Sequence, residues 1–115
     1  MAFAYTRLAQ TTIPAAAGAL ITNAVGKTTY VRLIIIHNAN TTTEVVILWN
    51  VPDNAAAVGT AADTNQFYKE SLTTLETRII EFPAPGLMLT DTNDTIQGDT
   101  TTASKVTFSA YGGLE

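Results

Sequence analysis

Residues 30–52, YVRLIIIHNANTTTEVVILWNVP, decide how this chain folds. The first arm holds Val31, Leu33, Ile34, Ile35 and Ile36. The second holds Val45, Val46, Ile47, Leu48, Trp49 and Val51. Branched aliphatics and tryptophan favour strands, and the NANTTT between the arms has the length and composition of a hairpin loop. Successive strand residues point to opposite faces. Strict alternation puts Val31, Leu33, Ile35 and His37 on one face, and Tyr30, Arg32, Ile34 and Ile36 on the other. In the second arm it separates Val45, Ile47, Trp49 and Val51 from Glu44, Val46, Leu48 and Asn50. Neither face of either arm is polar enough for water. One face meets an opposing sheet, and the other demands a second cover, which is expected to be another chain. The alternative cover is the N-terminal segment, with Phe3, Tyr5 and Leu8.

Outward from this stretch the chain alternates short apolar runs with turn residues. Strands are expected at residues 3–8, 19–23, 28–37, 43–51, 65–72, 74–82, 87–90, 95–99 and 105–111. PDN, PAPG and DTND mark breaks. Residues 28–51 and 65–82 each read as a strand pair. With almost no helical periodicity, the pattern is all-β. It describes a single antiparallel β-sandwich or jelly-roll domain of about eight short strands over residues 12–115, with residues 1–11 as an arm or edge strand.

The 115 residues suffice for one core without staples, and there is no cysteine for a disulfide or thiolate site. Charged residues make up 14%, far below the usual share of about a quarter. Threonine, 21 residues, fills the gap with polar, uncharged surface that is cheap to desolvate against a partner. Net charge is −4, and the six bases are scattered singly. Nucleic-acid binding needs clustered positive charge and is not expected. No run reaches the length of a membrane-spanning helix, and the N-terminal MAFAYTRLAQ lacks the pattern of a signal peptide.

Chemistry-bearing constellations are few. His37 is the sole histidine and reads as a hydrogen-bonded strand-end residue. Asp91, Asn93, Asp94 and Asp99 could offer oxygen ligands, but the EF-hand glycine and glutamate positions are unfilled, and Asp and Asn also build turns. Gly26-Lys27-Thr28 lacks the leading glycine of a phosphate loop. No paired carboxylates or nucleophile motif stands out, so the expectation is a non-enzymatic protein with no cofactor and no metal. Trp49 with Tyr30, Tyr68 and Tyr111 could form a sugar-stacking platform, or simply pack.

The order IPAAAGALITN, AVGKTTYVRLIIIHNANTTTEVVILWNVP resembles a group of small tailed-bacteriophage virion proteins. That group has a short strand, a turn, a long apolar strand ending in H/C-N, a Thr/Ala-rich link and a V-x-L-x-x-V-P strand. SLTTLETRIIEFPAPGLMLTDTNDTIQG and the closing ASKVTFSAYGGLE are similar to its later strands, so the likeness covers residues 12–115. The sequence departs from it at Leu75-Glu76, where Gly-Glu is usual, and in the more apolar Val45, Ile47 and Trp49. The resemblance implies a virion structural protein with a β-sandwich or jelly-roll domain. The expected role is capsid decoration, as a cyclic homo-oligomer packed on other virion proteins such as the major capsid protein. A neck, tail or head-fibre component is the alternative, and a carbohydrate-binding module is a further one. Contact with copies or capsid is expected at Ile34, Ile36, Val45, Ile47 and Trp49, and at Phe3 and Tyr5 of the N-terminal arm. The expected location is the virion, assembled in the host cytoplasm, with neither membrane nor nucleic acid as partner.

Overall fold

The computed structural model describes residues 4–115, so the contact expected of Phe3 lies outside the described residues. These form strands β1 (Ala4–Thr12), β2 (Gly18–Thr22), β3 (Thr29–Asn38), β4 (Glu44–Val51), β5 (Gln66–Leu72), β6 (Thr77–Glu81), β7 (Leu87–Leu89), β8 (Thr95–Thr100) and β9 (Val106–Leu114). The front sheet runs β1-β9-β3-β6, with β7 continuing β6 along β3; the rear sheet runs β2-β8-β4-β5. Every pairing is antiparallel. The pairs β4–β5, β3–β6/β7, β2–β8 and β1–β9 are nested like one long hairpin. Rolling that hairpin adds β3–β9 and β4–β8, which is the jelly-roll order. The chain is therefore an all-β sandwich, and the N-terminal segment is its front-sheet edge strand, paired with β9 from Ala4 to Thr12.

The two long apolar arms are not a hairpin. β3 belongs to the front sheet and β4 to the rear, so residues 39–43 arch across the sandwich. β5 and β6 are likewise split between sheets, as are β8 and β9. Five residues can close a hairpin or an arch, and side chains decide here. Asn38 is fully buried and its Nδ2 donates to Thr42 O (3.0 Å), Leu72 O (3.0 Å) and Thr73 O (3.2 Å), tying two arches together. Its Oδ1 accepts the Asn40 N–H at 2.9 Å. The buried Glu44 joins the third arch, accepting from Asn40 Nδ2 (2.9 Å) and the Thr102 N–H (2.7 Å). Nearby, Leu75 takes a φ of 59°, the left-handed region that glycine fills without a steric penalty.

Between the sheets lie Ile13, Val31, Ile34, Ile36, Val46, Leu48, Leu72, Leu89, Ile96, Val106 and Phe108, none accessible to solvent. Ile34 and Ile36 were expected at a contact surface. A bulge between Val31 and Leu33 corrects this: the β3–β9 register shifts there, and inward positions change from Thr29 and Val31 to Ile34, Ile36 and Asn38. The bulge sits opposite Gly112, where an added Cβ would lie 1.8 Å from Tyr30 O. Strict alternation along β3 fails at that point.

Candidate functional site

Two outer faces remain, one per sheet. On the rear sheet, register aligns Val45, Ile47, Trp49 and Val51 outward with Gln97 and Thr95 beside Trp49 and Val51. The loop between β4 and β5 folds back over the lower half of this face. Gln97 Nε2 donates to Gly59 O at 3.1 Å, and Gly59 approaches so closely that a Cβ there would sit 2.3 Å from Pro52 O and 3.0 Å from Val51 Cγ1. Trp49 is left 8% exposed and Val51 1%. The second cover demanded by these residues is thus a loop of the same chain, and Trp49 is corrected from contact residue to packed residue. The sugar platform fails with it: Trp49 is covered and lies in the rear sheet, whereas Tyr30 and Tyr111 lie in the front sheet. Val45 and Ile47 stay partly exposed above the loop.

The outer face of the front sheet has no such cover among the described residues. Its side chains stand in four cross-strand rows. Tyr5, Gly113, Tyr30 and Met88 form the first; Arg7, Tyr111, Leu33 and Glu81 the second. Gln10, Ser109, Ile35 and Ile79 form the third; Thr12, Thr107, His37 and Thr77 the fourth. The middle rows carry the apolar side chains, with Tyr111, Leu33 and Ile35 partly exposed and Ile79, on the edge strand, 58% exposed. Each cross-strand pair supports the next through direct side-chain contact distance. Tyr5, one of the expected contact residues, is 69% exposed at the corner of this face. Leu33, Ile35, Ile79 and Tyr111 were not among the expected contact residues, although Tyr111 was weighed for a sugar platform. Their signal was Gly112-Gly113, which pair with Val31 and Tyr30 beside the bulge residue Arg32 that turns Leu33 and Ile35 outward.

Polar contacts frame the patch. Arg32 Nε donates to Phe82 O (3.2 Å) and its Nη1 to Tyr5 Oη (3.0 Å). Tyr30 Oη donates to Glu115 Oε2 at 2.5 Å. That hydrogen bond, then burial, then the negative charge of Glu115 hold the phenol above its ordinary pKa. Tyr5, Tyr30, Arg32, Pro85 and Glu115 border a cleft of about 320 Å³. His37 Nδ1 and Thr77 Oγ1 share a hydrogen bond of 2.8 Å across β3 and β6.

The acidic residues gather differently from the sequence pattern. Asp99 lies on β8 beside Ile47, while Asp53 joins Asp91 and Asp94, with carboxylate oxygens within 4.8 Å of one another. Asp94 is buried, and both of its oxygens are engaged. Oδ1 accepts the Asp53 N–H (2.9 Å), and Oδ2 accepts those of Thr90 (3.1 Å) and Asp91 (3.0 Å). Burial pushes its pKa up, but these N–H donors outweigh burial and hold it below the ordinary value. Its observed work is to clamp the loop after β4 to the turn before β8. Compared with known proteins, the chain matches no family model, no curated protein and no solved structure.

Proposed function

We propose that this chain is a non-enzymatic structural protein of a bacteriophage virion, a capsid decoration protein acting as a homo-oligomer on the particle surface. One observation carries the reading: the apolar outer face of the front sheet, built from Leu33, Ile35, Ile79 and Tyr111, which no described segment of the chain covers. A lone domain rarely leaves such a face to water unless it binds something. The resemblance of residues 12–115 to virion proteins supplies the setting, since a jelly roll by itself hosts many roles.

The rest of the molecule suits the task. Its surface is largely uncharged, so a wide contact can form without stripping water from many ions. The two apolar surfaces lie on opposite sides of the sandwich, so one can hold a copy while Val45 and Ile47 face the capsid protein. Cryo-electron microscopy of the phage particle that carries this chain tests the reading. Density for the jelly roll repeating over the capsid is expected. Density confined to neck, tail or fibre would reassign the chain to those structures, and particles without it would overturn the virion reading.

A further inference from the structure

We infer that the outer face of the front sheet binds the same face of a second copy, with the two-fold axis parallel to the strands. The inference rests on the reading that the chain self-associates, and it names the surface and its symmetry. The second row of the face places Arg7 at one edge, Tyr111 and Leu33 in the middle, and Glu81 at the other edge. Three strand spacings separate Arg7 from Glu81, roughly 14 Å across the sheet. Opposite charges thus flank an apolar centre in one line.

This line is complementary to itself in one orientation. Turning a copy by a half-turn about an axis along the strands lays its β1 edge over the β6 edge of the first. Arg7 then faces the copy's Glu81, and Glu81 faces its Arg7, while Leu33 and Tyr111 meet around the axis. Aligned sheets pack about 10 Å apart, a gap that an arginine and a glutamate side chain together span. An axis across the strands instead sets Arg7 against Arg7 and Glu81 against Glu81. Like charges pressed together at an interface are strongly unfavourable, so the Arg7 and Glu81 of this row favour the first arrangement.

Size points to a second copy rather than a small ligand. Four strands and four rows cover roughly 500 Å² of flat sheet. Side-chain relief brings the accessible area towards the 800 Å² per partner of a standard interface. A face of this extent is enough for a dimer, with an affinity that area alone does not set. Isologous contact also uses the patch once per subunit and closes the assembly on this face.

The test is sedimentation velocity of the full chain over a concentration series, with circular dichroism as a folding control. The unaltered chain should dimerise. Arg7→Glu and Glu81→Arg should each weaken the dimer about tenfold or more, and the combination should restore it, because the pairs re-form with reversed sign. Ile79→Lys, at a position already 58% exposed, should leave the fold intact and abolish the dimer. An oligomer indifferent to all four variants would overturn this face while leaving self-association standing. A monomer throughout the series would overturn both. Weakening by both single charge variants without rescue in the combination would overturn the axis.

Discussion

Asn38 shows how much one side chain can determine. It ends β3 at the point where three chain reversals converge, and it is fully buried. Its amide nitrogen serves carbonyls of two arches, Thr42 on one side and Leu72 and Thr73 on the other, and its oxygen takes the Asn40 N–H. Its own backbone is engaged as well, donating to Glu76 O and accepting from the Leu75 N–H, each at 2.9 Å. A buried polar group left without a partner costs its full desolvation, about 1–3 kcal/mol. Asn38→Ala strands several carbonyls and should cost about 2–4 kcal/mol in urea unfolding at neutral pH. Asn38→Asp should be worse, since it turns an acceptor towards carbonyl oxygens. Equal stability of all three chains would mean that the arches are held by packing alone. From sequence, this asparagine read as the first residue of the link after a strand ending at His37; in the structure it is the last residue of β3. That its amide spans two turns depends on residues some 34 positions apart, and no local pattern carries that.

At the scale of elements, the loop after β4 answers the apolar outer face of the rear sheet. Gly59 is its pivot, because only a residue without a Cβ can lie so close to Pro52 O and Val51. Gly59→Val should lift the loop and wet the single tryptophan. Trp49 emission should shift to the red and quench more readily with acrylamide, while the arches and the front sheet keep the global fold. Unchanged emission would show that Trp49 is shielded from elsewhere. Strand positions were legible because β-branched runs between Pro, Gly, Asn and Asp leave little choice. Partners were less so. Residues 39–43 and 73–76 are short enough for hairpins, yet both cross between sheets, and nothing local separates the two outcomes. The face of Ile34 and Ile36 was misjudged because one bulge residue in β3 reverses the parity of every position after it. The uncovered patch was hidden by the same shift: Leu33 and Ile35 carry it, and alternation had grouped them with Val31, which is buried.

Across the whole molecule, each end of the sandwich is fastened by one buried carboxylate. Glu44 closes the end where the arches lie, and Asp94 joins the turn before β8 to the loop after β4 at the other. Both are held below their ordinary pKa values. For Glu44, burial acts upwards, but the Asn40 amide, the Thr102 N–H and the charge of Lys105 outweigh it. A carboxyl with a lowered pKa in the folded chain binds its proton more readily when unfolded. The stability it contributes is fully present above its unfolded pKa and drains away as pH falls through the folded value. With ordinary values of 4.5 and 3.8 for the two groups, stability should be level near neutrality and decline below about pH 4.5. The two clamps sit at opposite ends with no shared partner, so their contributions should add. Glu44→Gln and Asp94→Asn should each lower stability at neutral pH, through lost charge-assisted hydrogen bonds. Each should also flatten the acid limb, and the double variant should flatten it most. Urea midpoints at pH 7 and at about pH 3.5 measure this directly. If the double variant keeps the acid sensitivity of the unaltered chain, other carboxylates govern it, and the two clamps hold the ends by geometry and not by charge.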